Sequence, residues 1–203
     1  MPDVSRSVRA SLLLALVFAF ASTAHAGLRE GLEAAAAKDF ERAYRELLPF
    51  AEQGNRFAQA EVGRLYGMGK GAPQDDFRAV HWYFLAAQSG EPSAQINLAT
   101  ALRLGSGIRQ DYEAALAWYR RAADQGAEEG YVGIADIYAR GLGVVADSKV
   151  ALHWLKKAAE SDYPLAQHLL GVRYWQGRWV AQDYDEAYSG SYARRSSDMC
   201  RPW

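Results

Sequence analysis

The chain has 203 residues, half of them hydrophobic, and its 23 Lys and Arg against 24 Asp and Glu give a formal net charge of −1. This balance gives no indication of binding to nucleic acid or to an anionic membrane surface, and no nucleic-acid partner is predicted. The single cysteine, Cys200, excludes a disulfide framework within the chain.

The first 26 residues have the pattern of a secretory signal peptide. Arg6 and Arg9 precede the short apolar run SLLLALVFAFA, and Ala24-His25-Ala26 follows as an A-x-A cleavage site. The sequence therefore predicts cleavage near Ala26 and a periplasmic or secreted protein whose mature chain has no integral membrane span. An uncleaved membrane anchor is the alternative, although the apolar run is short for crossing a bilayer.

The rest of the sequence repeats with a period of 36 residues. A fixed period of this size is typical of architectures in which short structural units stack in a row. The recurring residues are Gly69, Gly105, Gly141 and Gly177; Asp75, Asp111, Asp147 and Asp183; Ala79, Ala115, Ala151 and Ala187; and Trp82, Trp118 and Trp154.

The best-preserved repeat predicts a first helix over residues 93–105, SAQINLATALRLG. Its small and apolar residues have the spacing of one helix face. Gly105 is expected to end this helix, because glycine readily takes the left-handed conformation that helix ends favour. The predicted core residues are Ala94, Leu98, Ala101 and Leu102.

A second helix follows in the same repeat, with Asp111 predicted as its N-cap. Its apolar face alternates very small residues with aromatic ones, which would let facing helices interdigitate. Neither helix can bury its face within one hairpin, so neighbouring repeats must stack. The predicted core residues are Ala115, Trp118, Tyr119, Ala122 and Ala123.

Residues 94–126 follow the pattern A-x-x-x-L-G/A-x-x-Y/L-x-x-G-x-G-x-x-x-D-x-x-x-A-x-x-W-Y-x-x-A-A-x-x-G, which resembles the Sel1-like repeat. The resemblance implies an all-α fold, an α/α solenoid of about four 36-residue helix hairpins with the last one degenerate. It also implies a scaffold that binds another protein. Exported bacterial members of this family act in envelope signalling, polysaccharide assembly, host interaction or immunity to secreted toxins.

The repeats divide the mature chain into three parts. A degenerate N-terminal half-repeat or cap is predicted at 27–54, the repeat solenoid at 55–188, and a disordered or aberrant tail at 189–203. In the tail, Gly190-Ser191 stands where the other repeats have Trp-Tyr or Trp-Leu. The tail is either a natural degenerate terminus or the result of a disrupted reading frame near Ser189, and the abrupt loss of the pattern favours the second. An incomplete repeat of this kind predicts self-association through its bare apolar side.

The resemblance also implies where a partner binds, because first helices line the concave face of tetratricopeptide-like stacks. On the helix at 93–105, positions 96, 100 and 103 lie opposite Leu98. Trp and Arg are over-represented among interface hot spots, so exposed aromatic and arginine residues are the strongest candidates; the alternative is that they are merely solvated or half-buried. The predicted partner-binding residues are Phe57, Arg64, Ile96, Thr100, Arg103, Val132, Asp136, His168 and Trp175.

No catalytic residue, cofactor site or metal site is predicted. The sequence contains no G-x-S-x-G, H-E-x-x-H, C-x-x-C or P-loop motif. His81 and His153 are two repeats apart, too far for a shared metal. The alternative function is a β-lactam or cell-wall-related hydrolase of the cysteine-rich branch of Sel1-like proteins. That branch has a cysteine pair in each repeat, which this chain lacks.

Overall fold

The computed structural model describes residues 27–185 and residue 187. The predicted signal peptide at 1–26 and the predicted tail at 189–203 therefore lie outside the described residues. Within them the regular structure is helical, without a β-strand. No helix there has both the length and the apolar character that a membrane crossing requires. The prediction of an all-α fold is confirmed.

Nine helices follow one another along the described part of the chain, and each of the last eight has 13 residues. Their spacing follows the sequence period, because helices two places apart begin 36 residues apart from α2 onwards. The helices are α1 (27–36), α2 (Phe40–Glu52), α3 (Arg56–Met68), α4 (Asp76–Gln88), α5 (Pro92–Leu104), α6 (Tyr112–Asp124), α7 (Glu128–Arg140), α8 (Ser148–Glu160) and α9 (Pro164–Gln176).

Helix capping fixes these boundaries as the sequence predicts. The carboxylates of Asp75 and Asp111 each accept a hydrogen bond of 2.9 Å from the backbone N–H three residues further on. Asp147 accepts two such bonds, from Lys149 and Val150. At the other end, Gly69 and its counterparts in α7 and α9 take the left-handed conformation. Local backbone chemistry therefore fixes where these first helices end and where the second helices begin.

The chain divides into two compact units between Glu91 and Pro92. In the first unit, α3 packs against α2 and α4, and the largest fully buried side chains are Leu47, Val62 and Leu65. In the second unit, α5 pairs with α6 and α7 with α8, around buried Leu98, Ile134 and Ile137. Most of the other buried hydrophobic residues in both units are alanines.

The aromatic pair of the second helix is divided between core and surface. Tyr119 is buried as expected, whereas Trp118 is half-buried and lies under the Arg121 guanidinium at 4.3 Å. Trp82 and Trp154 are also half-buried. The expectation that both aromatic residues lie in the core is therefore correct for Tyr119 and wrong for Trp118.

We expect the first unit to lose stability in alkaline solution through Tyr83, whose ring lies against Gly63 on α3. Burial raises the pKa of Tyr83 from 10.0 to about 12. Because the folded pKa is the higher one, this contribution is complete below about pH 10 and is lost as the pH rises towards 12. Tyr83→Phe should reduce the fall in the free energy of unfolding between about pH 9 and about pH 11.5 by up to roughly 2 kcal/mol. Urea titrations at both pH values measure it, and an unchanged difference would contradict the assignment.

Candidate partner-binding groove

The second unit contains a groove with a volume of about 380 Å³. The first helices of its hairpins, α5, α7 and α9, supply most of the lining, and α6 and α8 contribute the buried side chains Tyr119 and Leu155. Five residues predicted from the sequence line it together: Ile96, Thr100, Arg103, Val132 and Asp136.

At the base of the groove, the large side chain of Tyr119 fills the space that Gly133 leaves open because it has no side chain. A Cβ added to Gly133 would lie 2.5 Å from the Tyr119 ring, so only glycine leaves room for the aromatic side chain. The Tyr119 hydroxyl and the Thr100 hydroxyl are hydrogen-bonded at 2.9 Å. Positions 36 residues further on carry Leu155 and Leu169 instead, so this combination of tyrosine and glycine is not repeated there. This packing of Tyr119 against Gly133 holds α5, α6 and α7 in their arrangement around the groove.

Arg103 is ion-paired within the groove. Its guanidinium lies 3.6 Å from a carboxylate oxygen of Asp136 on α7, and Arg140 approaches the same oxygen at 3.5 Å. Only 21% of the Arg103 side chain is exposed. The expectation of an exposed arginine is therefore wrong here, because a facing acidic residue holds the side chain against the helices.

Two of the predicted partner-binding residues, Phe57 and Arg64, belong to the first unit. Phe57 is 46% exposed at the start of α3, with the Arg56 guanidinium 4.8 Å from its ring centre. Arg64 is half-buried and forms a two-pronged ion pair with Glu61, and one nitrogen also contacts the Met68 sulfur at 3.2 Å. Arg64 is therefore not the freely exposed cation that the sequence suggested.

The two predicted residues of α9 do not line the groove. His168 is exposed, and Trp175 is 61% exposed with its ring edge-on to Tyr184 at 5.1 Å. They stay predictions as partner contacts, as do the five residues inside the groove.

Arg173 on α9 and Trp179 in the segment after it also line the groove, although neither residue was predicted from the sequence. The Arg173 guanidinium carbon lies 4.2 Å from the Trp179 ring centre. Burial lowers the pKa of Arg173, and the nearby Arg178 lowers it further. Comparison of positions 36 residues apart could have identified both residues, because each differs in character from its counterparts.

The histidines considered as possible ligands lie on the outer sides of second helices. His81 and His153 are exposed, and each is edge-on to the tryptophan that follows it. In the part of the chain that the structure describes, no three His, Cys, Asp or Glu side chains form a group that could hold a metal ion. The recurring aspartates Asp75, Asp111 and Asp147 are occupied as helix caps. These residues therefore do not converge on one site.

A known protein family and several solved structures share this fold. The family model of the Sel1 repeat matches residues 56–91, 92–126, 129–163 and 164–189. A Sel1 repeat protein from Oxalobacter formigenes is 32% identical, with a TM-score of 0.70 over 81% of this chain and 65% of that protein. A protective antigen present in uropathogenic Escherichia coli strains, which displays an SLR fold, is 30% identical with a TM-score of 0.75, over 87% of this chain and 39% of the antigen.

The immunity protein Pa5087 from Pseudomonas aeruginosa shares the fold at 22% identity, with a TM-score of 0.59 over 83% of this chain and 63% of that protein. The chain thus spans less than two thirds of the length of each of these three solved proteins. No curated protein sequence matches it.

We expect Gly133→Ala to destabilise the second unit, because the added methyl group would meet the Tyr119 ring. Overpacking of this kind typically costs about 1–3 kcal/mol. Chemical unfolding of Gly133→Ala, Tyr119→Leu and the double variant measures the effect as a double-mutant cycle. The double variant should be more stable than the sum of the two single changes predicts. Strict additivity would show that the two residues do not share this space.

Proposed function

Because the chain belongs to the Sel1 repeat family, we propose that it is an exported scaffold of the bacterial cell envelope that binds another protein in the groove of its second unit. Sel1 repeat solenoids are generally non-catalytic binding scaffolds. The observation that supports this site most strongly is that five residues chosen from the helix pattern line one groove. The narrower roles we consider are immunity to a secreted toxin and envelope signalling or assembly.

The character of the groove suits a protein segment. Half-buried Ile96 and Val132 offer apolar contact area, while Thr100, Arg103 and Asp136 offer polar groups beside it. Grooves of this kind bind an extended peptide or a helix, with affinity from the apolar surface and orientation from the polar groups. Self-association through the incomplete fourth repeat stays a prediction.

A charge placed in the middle of the groove tests the site. Val132→Arg should abolish capture of the partner, because it puts a long cation where an apolar surface is needed. The matched control is Ala117→Arg, since Ala117 is exposed on α6 and does not line the groove. The measurement is quantitative mass spectrometry of envelope proteins that each immobilised variant retains, together with its melting temperature.

We expect at least one protein to be retained by the unchanged chain and by Ala117→Arg and to be lost with Val132→Arg at an unchanged melting temperature. The identity of that protein separates a toxin from a signalling or assembly component. Equal retention by all three chains would contradict the groove as the binding site.

The proposed export of the chain can be tested separately from partner binding. The chain expressed with a C-terminal tag in a Gram-negative host should be recovered from the periplasm or the medium with Gly27 as its first residue, as the A-x-A pattern requires. N-terminal sequencing measures this. Replacing Ala24 and Ala26 by large residues should leave the uncleaved chain in the membrane fraction. A soluble cytoplasmic product that begins at residue 1 would contradict export.

A further inference from the structure

We propose that Arg173 and Trp179 form an anchor that binds the carboxylate of an acidic side chain of the partner protein. This inference deepens the proposed function and rests on it. It names the chemistry that the groove recognises and the two residues that recognise it.

The first observation is that Arg173 occupies a position that belongs to the core in the other repeats. Its counterparts, at intervals of 36 residues, are Leu65, Ala101 and Ile137. Leu65 and Ile137 are completely buried, and Ala101 is nearly so. An arginine is a poor replacement for such residues, because a guanidinium without partners loses hydration when it is buried. Arg173 itself is half-buried, so it departs from the core role that its counterparts have.

The second observation is that Trp179 occupies a position that favours glycine. Its counterparts are Gly71, Gly107 and Gly143, whose φ angles are +75°, +66° and +66°, and Trp179 has a φ of +74°. A bulky side chain in this left-handed region is strained. Strained residues of this kind persist where the surrounding structure or a function requires them, and they cluster at binding sites.

The two unfavourable residues contact one another. The Arg173 guanidinium lies over the Trp179 ring at 4.2 Å, and both side chains line the groove. Two independent departures from the repeat, six positions apart in sequence, thus produce one stacked pair on the surface where a partner is expected. Stacking keeps the planar guanidinium in one orientation while leaving its edge available for hydrogen bonds.

The charges around the groove indicate what this pair binds. Asp136 is already shared by Arg103 and Arg140, and Glu129 accepts a hydrogen bond from the Tyr163 hydroxyl. Among the described residues, Arg173 has no carboxylate partner, and its buried Nε donates no hydrogen bond. The acidic groups of the groove are therefore occupied, while one oriented cation is not. A carboxylate is the group that a guanidinium binds in a two-pronged geometry.

We assign this carboxylate to an Asp or Glu side chain within a partner segment. The lining of the groove also includes the apolar residues Leu169, Val132 and Ile96. A segment that follows this lining would place apolar residues on α5 and α7 and its acidic residue on Arg173. Stacking against Trp179 adds an apolar contact for the methylene groups of that acidic residue.

Peptide pools test the anchor directly. The first pool has Glu at the centre of acetylated and amidated nonapeptides with randomised apolar neighbours. The second pool has Gln there, and the third has Gln and a free C-terminal carboxylate. The immobilised full-length protein should enrich the Glu pool about 10-fold over both others, the effect expected for one charge-assisted hydrogen bond pair. Quantitative mass spectrometry of the retained peptides measures it.

Three variants separate recognition from folding. Arg173→Leu restores the residue type of the other repeats, so it should abolish the preference for Glu with an equal or higher melting temperature. Trp179→Gly should weaken the enrichment while raising the melting temperature by a few degrees, because it removes backbone strain. Arg178→Leu is the matched control: its exposed cation does not line the groove, and its loss should leave the preference intact.

A preference for Glu that survives Arg173→Leu would overturn the anchor, as would enrichment of the free-carboxylate pool alone. Equal enrichment of the Glu and Gln pools would overturn the anchor and leave the groove as a peptide-binding site. The absence of enrichment from every pool would contradict both the anchor and the groove as a site for extended peptides.

Discussion

The structure depends on the close approach of neighbouring helix backbones through faces made of alanine and glycine. At Gly130, an added Cβ would lie 2.9 Å from backbone atoms of both Tyr119 and Ala123, so α6 and α7 touch there without side chains between them. Ala115 and Ala151, 36 residues apart, are completely buried at equivalent contacts. Close packing of this kind retains dispersion contacts that a larger separation would lose. The constant length of 13 residues from α2 to α9 repeats such contacts at a fixed interval along the described part of the chain.

This constraint leaves few positions where the chain can carry a specific function. Residues on the contact faces must stay small, the aspartates must cap, and the glycines must turn. Variation is tolerated on the exposed sides of the helices and at rare exceptions in the repeat. Arg103 and Asp136 are of the first kind, because they form an ion pair on a side that packing leaves open. Arg173 and Trp179 are of the second kind, because they replace residues that the repeat otherwise requires.

The helix boundaries and caps could be predicted from sequence because both are local. A capping aspartate and a terminating glycine act on backbone groups within a few residues, as Asp111 and Gly105 do. The helix period also predicted five residues of the groove, since it decides which side of α5 and α7 faces away from the core. The burial of Trp118 could not be predicted in this way, because it depends on the spacing between helices.

The contacts of the groove depend on pairs of residues that no local pattern joins. The Tyr119 hydroxyl on α6 reaches the Thr100 hydroxyl on α5 because Gly133 on α7 leaves room for the ring. Predicting this contact would require the residues at all three positions to be considered together. Whether a residue at the position of Arg173 is buried also depends on which helices pack around it. Ile137 at the equivalent place is completely buried in α7, a helix that packs against α5, α6 and α8, whereas α9 packs chiefly against α8 among the described helices. A cation is tolerated in α9 because one side of the helix faces the groove. The same substitution at Ile137 would bury an unpaired charge. The place in the row of helices, and not the residue type alone, therefore decides whether a departure from the repeat breaks the core or creates a binding surface.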